Sequence, residues 1–174
     1  MTCAAIRLSA LTGLRRQETV GLQWREIDFD GSCLRLAETK TGRSTRPIGK
    51  AAVEHLRALP RLHYGWLFPN RNGTGSADLK KSIAAIFAAG LKDARSHDLR
   101  RTFARVAAEL GYGDATIAEL LGHARRGVTE RHYVRRPDVA LTEAATRTAQ
   151  TIANVLDERR DAEVIELRPA RETA

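Results

Sequence analysis

His97-Asp98-Leu99-Arg100-Arg101-Thr102-Phe103-Ala104 opens an amphipathic stretch that runs to Leu110 and stops at Gly111. The pattern predicts a helix over 98–110 with Asp98 as its N-cap. His97 and Arg100 are three apart, so they project from one side of that helix or its first turn, while Arg101 points elsewhere. A histidine in this position can donate a hydrogen bond to a phosphate, and an arginine beside it can hold two of the oxygens at once.

Working outward, the neighbouring segments also read as helices. Ala4 to Leu11 is apolar and helical in pattern and is broken by Thr12-Gly13. A second helix is expected from about Arg15 to before Asp28, with Val20, Leu22 and Trp24 facing inward. Asp30-Gly31 is a turn signal ahead of a strand, Cys33-Leu34-Arg35-Leu36. After Thr41-Gly42-Arg43-Ser44 the chain returns as Thr45-Arg46-Pro47-Ile48, an edge strand because of Pro47. Ala51 to Leu59 predicts a helix stopped by Pro60. Ser76 is a candidate cap for a helix through Ala89 with Leu79, Ile83, Ile86 and Phe87 inward. Asp114 to Leu121 predicts another, ended by Gly122, and a short helix is expected over 129–134. Pro137-Asp138 starts a long terminal helix to about Arg160 with the stripe Leu141, Ala144, Ala145, Thr148, Ile152, Val155 and Leu156. The fold class is mainly α with a small antiparallel sheet (α+β).

Three further clusters carry chemistry. In Thr12-Gly13-Leu14-Arg15-Arg16-Gln17-Glu18, Arg15 and Glu18 share a helix face, so Glu18 orients Arg15 or caps the helix start. Leu121-Gly122-His123 puts a histidine at a helix end, and Tyr133 follows ten residues later in Thr129-Glu130-Arg131-His132-Tyr133. Around that tyrosine lie Arg125, Arg126, Arg131, His132, Arg135 and Arg136. A phenol ionises near pH 10, and positive neighbours favour its phenolate. Tyr64 and Tyr112 have no comparable surroundings. Lys40 stands at the hairpin tip, where a mobile cation can reach a groove and protonate a leaving oxygen. Arg43 and Arg46 flank it and suit contacts with phosphate groups.

In order, these motifs give Arg15, Lys40, the His97–Arg100 pair, His123 and Tyr133. The set resembles the catalytic domain of the tyrosine recombinases, the phage-integrase and Xer-like enzymes, over residues 4 to 136. The resemblance implies site-specific recombination or integration of DNA, as in mobile elements, with no cofactor. Tyr133 would attack the scissile phosphate to form a 3′-phosphotyrosine bond. Lys40 would protonate the leaving 5′-hydroxyl. Arg15, Arg100, His97 and His123 would stabilise the pentacoordinate transition state. Double-stranded DNA and a tetrameric synapse of like chains are the implied partners, in a bacterial or phage-encoded protein. Two other readings carry the same residues: a type IB topoisomerase-like enzyme, and a catalytically idle DNA-binding remnant.

Two features depart from the family pattern. The position two after Tyr133 is Arg135 where a histidine is usual, and His132 stands one before it. Met1 lies only fourteen residues before Arg15, so the family's DNA-clamping domain and the opening part of its catalytic domain are expected to be missing. Residues 1–136 are read as the catalytic domain, impaired by truncation. Residues 137–174 are read as a helix and tail that dock on a neighbouring protomer, or fold back on their own domain.

Composition agrees with a polyanionic partner. The 174 residues carry 29 Lys+Arg and 21 Asp+Glu, a net charge of +8. The charge is uneven: 1–136 hold 24 basic and 13 acidic side chains, and 137–174 hold 5 and 8. Cys3 and Cys33 form no CxxC pair, and no zinc spacing, carboxylate cluster for Mg²⁺ or Walker-type loop occurs. No run of eighteen apolar residues is present. These features predict a soluble, cytoplasmic, DNA-associated chain with no bound metal.

Overall fold

A computed structural model describes residues 1–37, 42–63, 65–90, 94–123 and 137–158. Helix α1 (Thr2–Thr12) is the central element, packing against α2, α3, α4, α5 and α7. It is apolar on more than one face, as a helix enclosed by others must be, and Ala5, Leu8, Ser9, Ala10, Leu11 and Thr12 are all buried. Gly13, left-handed at φ 63°, ends it, and its N–H donates to the Ser9 carbonyl at 2.9 Å.

The second helix is much shorter than expected. Helix α2 covers only Arg16–Val20. Leu22 and Trp24 are buried as predicted, but they reach the core from a bridge to Trp66 and a single 3₁₀ turn over Trp24–Glu26. The backbone amide of Trp24 donates to Gly65 and that of Leu67 to Leu22, so pairing with a distant segment overrides the local helical pattern.

The sheet has the order β1–β2–β3, all antiparallel, with β1 Ile27–Asp28, β2 Cys33–Leu36 and β3 Ser44–Pro47. Among the described strands β3 is an edge, in keeping with Pro47. Its register sets Leu34 opposite Arg46 and Leu36 opposite Ser44. Cross-strand partners share a face, so Arg46 points inward with the two leucines.

Helix α3 (Lys50–Ala58) starts at Gly49, where any Cβ would overlap the Ala145 carbonyl. Helix α4 (Lys80–Gly90) begins later than Ser76, which instead bridges Pro69, and the Asp78 carboxylate accepts from the Lys80 amide at 3.0 Å. Its inner face is Ile83 and Phe87 with Leu79 just before it, while Ile86 is exposed. Helix α5 (Ser96–Glu109) begins two residues before Asp98. That side chain is therefore not the N-cap but turns back to accept from the Arg95 amide at 2.8 Å. Helix α6 is Asp114–Leu121, with Gly113 as N-cap.

Helix α7 (Val139–Glu158) lies against its own domain, the second of the two arrangements read for residues 137–174. Ala144, Ala145, Thr148, Ala149, Ile152 and Ala153 are buried within the same core as α1, α3, α5 and α6. The reason is steric: alanines on its inner face let α7 lie close to neighbours such as Gly49. Val155, assigned to the stripe, is half exposed instead. Helix α7 thus shares one core with the helices that precede residue 136. Residues 129–134, read as a short helix, and the tail from 159 onward lie outside the described residues. Among the described residues no helix is long and apolar enough to cross a membrane.

Candidate active site

Two glycine turns and the inner face of the hairpin converge on one cluster of charge. The turn after α1 delivers Arg15 in extended conformation at the N-cap of α2. Glu18, three residues on, accepts from the Arg15 amide and from Arg15 Nη1, both at 2.8 Å. The carboxylate therefore does both things expected of it, closing the helix start and orienting the arginine. The Ser9 and Thr19 hydroxyls, 2.9 Å apart, tie α1 to α2 beneath it.

Arg100 opens the second turn of α5 and is 4 % exposed. Its Nη1 donates to the Gly13 carbonyl at 2.7 Å, and its Nη2 to the Leu121 carbonyl at 2.9 Å. Nη2 also meets His123 Nε2 at 3.0 Å. A guanidinium has only donors, so Nε2 accepts and the proton of a neutral ring sits on Nδ1. Three of Arg100's five N–H groups are thereby committed, leaving Nε–H and one Nη1–H.

His123 is fixed by its backbone. Gly122 is left-handed at φ 60°, and the His123 amide donates back to the Ala118 carbonyl at 2.8 Å, closing α6 in a Schellman turn. The ring is partly exposed. Burial, then the charges of Arg100, Arg15 and Arg46, hold its pKa below 6.5, so it is neutral at pH 7 with Nδ1–H available to donate.

Arg46 is placed differently from its reading as a phosphate contact. It is 2 % exposed, because the β2–β3 register turns it into the domain. Its Nε donates to Ser44 Oγ at 2.8 Å, and its Nη2 reaches Glu18 Oε1 at 3.4 Å. A Cβ at Gly122 would overlap its guanidinium, so the glycine there is needed for closeness as well as for its positive φ. Burial pushes the Arg46 pKa down to about 10, against the raising effect of Glu18, which leaves it charged at neutral pH. Burial, followed by the charge of Arg15, also lowers the pKa of Arg100. Three guanidiniums thus face one carboxylate, an excess of positive charge suited to an oxyanion.

The other expected residues are divided. His97 is exposed on the first turn of α5, with no hydrogen-bond partner among the described residues. It lines a shallow groove with Arg16, Lys80, Phe87 and Ser96. Arg43 is exposed at the start of the β3 side of the hairpin. Tyr112 is half-buried against the core beyond α5, its amide donating to Ala107 at 3.1 Å, which accounts for it as packing. Tyr133, Lys40, Arg125 and Arg126 lie outside the described residues. The residue whose role was missed is Arg46. Its signal was the strand parity that sets it opposite Leu34.

The model of the phage integrase family matches residues 1–138. The chain is 29 % identical over 142 residues to the prophage integrase IntF of Escherichia coli K12, covering 77 % of this chain and 30 % of that protein. The integrase from mycobacterium phage Brujita superposes with a TM-score of 0.59 at 25 % identity, over 99 % of this chain and 53 % of that one. The site-specific recombinase XerH, solved bound to its difH substrate before cleavage, gives a TM-score of 0.56 at 20 % identity over 92 % and 45 %. The chain therefore spans about a third to a half of these proteins.

Proposed function

Because the chain belongs to the phage integrase family, we propose that it supplies the strand-cleaving centre for site-specific recombination of double-stranded DNA. The observation that carries this reading is the convergence of Arg15, Arg100 and a neutral His123 on one electropositive cluster. Arg15 and Arg100 hold the non-bridging oxygens of the scissile phosphate, and His123 donates to one of them through Nδ1. His97 adds a donor from the first turn of α5. Tyr133 attacks phosphorus, the bond to the 5′-oxygen breaks, and Lys40 gives that oxygen its proton. The 3′-phosphotyrosine conserves the bond energy. Attack by a second strand's 5′-hydroxyl releases the tyrosine and joins the strands. Arg43, Arg125 and Arg126 contact the flanking phosphates, and like chains assemble in fours on paired sites.

The relatives are integrases and recombinases, which favours exchange over relaxation of supercoils or an idle remnant. The test is covalent capture. The 174-residue chain is incubated with a pool of nicked duplexes whose central bases are randomised, then run on a denaturing gel. An adduct with the wild type and none with Tyr133→Phe is expected. An adduct that survives the substitution removes Tyr133 as nucleophile, and no adduct from any duplex removes the proposed activity.

A further inference from the structure

We propose that Arg46 is a positioning residue for this chemistry, a buried strut that holds Arg15 and His123 in register over the same phosphate. The inference rests on the reading just given. Arg46 joins three separate pieces of the chain. It stands on β3, its Nη2 bonds the Glu18 oxygen that also receives Arg15 Nη1, and its guanidinium packs against Gly122, the residue before His123. Ser44, two residues back on the same strand, fixes Nε at 2.8 Å. At 2 % exposure its head group is enclosed by protein. It acts on the phosphate through its neighbours.

The arrangement answers a physical problem. Glu18 is 5 % exposed at its side chain, and its carboxylate orients Arg15 from within the domain. Its one other ionic partner, Arg15, stands at the rim and is itself 29 % exposed, so that counter-charge is screened by solvent. Arg46 supplies a second counter-charge from below. The same guanidinium sets how closely the α6 turn approaches the hairpin. Losing it leaves Glu18 half-paired and lets Arg15 and His123 drift apart. A misplacement of about 1 Å at such a site costs on the order of a hundredfold in rate.

Arg46→Met keeps the stem and removes the head group. On the nicked duplex captured by the wild type, single-turnover adduct formation is expected to slow about a hundredfold. Duplex affinity and its salt dependence stay near the wild-type values, because no phosphate contact is lost. Glu18→Gln combined with Arg46→Met slows the reaction by less than the product of the two single effects, since part of what the arginine does passes through the carboxylate. Where Arg46→Met fails to melt cooperatively, Arg46→Lys retains the buried charge without both bonds, and the same slowing is expected of it. Orthovanadate, a phosphate-like ion that adopts five-coordinate geometry, probes placement without cleavage. Its binding, read from the His123 ring resonances, weakens at least about tenfold in the variant.

An unchanged rate, a loss of affinity in step with the rate, multiplying effects in the double variant, or full activity in Arg46→Lys each overturns the inference. A wild type that binds vanadate but captures no duplex overturns the recombination reading instead. In that case the vanadate comparison alone decides the role of Arg46.

Discussion

Helix α1 leaves its last turn through Gly13 at φ 63°, and helix α6 leaves through Gly122 at φ 60°. Arg100 holds both exits, one through the Gly13 carbonyl and one through the carbonyl of Leu121. The two turns nevertheless press on different matter. A Cβ at Gly13 would come within 2.9 Å of Leu121 Cδ2 and the Phe103 ring, whereas one at Gly122 would enter the Arg46 guanidinium. The first turn seals apolar packing and the second seats a charge. Apolar side chains shift with a small loss of contact. A bonded guanidinium shifts only by leaving its partners, so equal backbone geometry carries unequal chemical consequence.

Arg100→Lys tests the residue common to both turns and has the largest expected effect. An ammonium cannot reach two carbonyls and an imidazole in fork geometry. Adduct formation is expected to fall by about 10²–10³-fold, the loss typical of an oxyanion donor. Near-normal capture by this variant would dissolve the link between the turns. The pair Gly13→Ala and Gly122→Ala then sharpens the contrast. Each forces a side chain into left-handed backbone, at a cost of roughly 1–3 kcal/mol in stability. Gly13→Ala is expected to lower the melting temperature while its folded fraction cleaves at a near-normal rate. Gly122→Ala is expected to slow cleavage by about tenfold or more as well, because Arg46 must move. Equal rates in the two variants, measured below both melting transitions, would mean that the turns do the same work.

The smallest effect is a titration. Burial and three neighbouring arginines hold His123 below its ordinary 6.5. Just below pH 6.5 the folded chain therefore binds fewer protons here than the unfolded chain. The stability this group contributes is complete above pH 6.5 and is lost as pH falls through the folded-state midpoint. His55, lowered by burial with a backbone bond to Ala4 opposing, works in the same direction, so the ring of His123 must be followed individually by NMR. A midpoint at or above 6.5 would remove the electrostatic distinction of the second turn.

Elements signalled by adjacent residues were legible in the sequence. Gly13 and Gly122 end α1 and α6 where a left-handed stop was expected, and the strand at Cys33–Leu36 lies where alternation put it. The pairing of Arg15 with Glu18 followed from spacing alone. The failures share another cause. Helix α2 stops at Val20 because residues 22–24 pair with the segment around Trp66, forty positions away. Arg46 looked like a solvent-facing hairpin arginine, and only the pairing of Leu34 with Arg46 turns it inward. The terminal stripe showed an apolar face without saying what covers it, and its alanines meet α1, α3 and α5 of the same chain. Local stereochemistry is written in neighbouring letters, while register and docking depend on letters far apart.

The docking of α7 also acts as a measuring rule. Its first residue, Val139, lies six positions beyond Tyr133, and His123 lies ten before it. A fully extended chain advances at most about 3.3–3.6 Å per residue. Whatever path the chain takes between them, the Tyr133 Cα stands no more than roughly 20 Å from that of Val139. A phosphate bonded by this phenol would lie inside a sphere of that radius widened by the length of the side chain, whichever copy of the chain holds the DNA. Lengthening the segment after Val134 with inserted glycines would widen the sphere and dilute the phenol within it, at an entropic cost that grows only logarithmically with the added length.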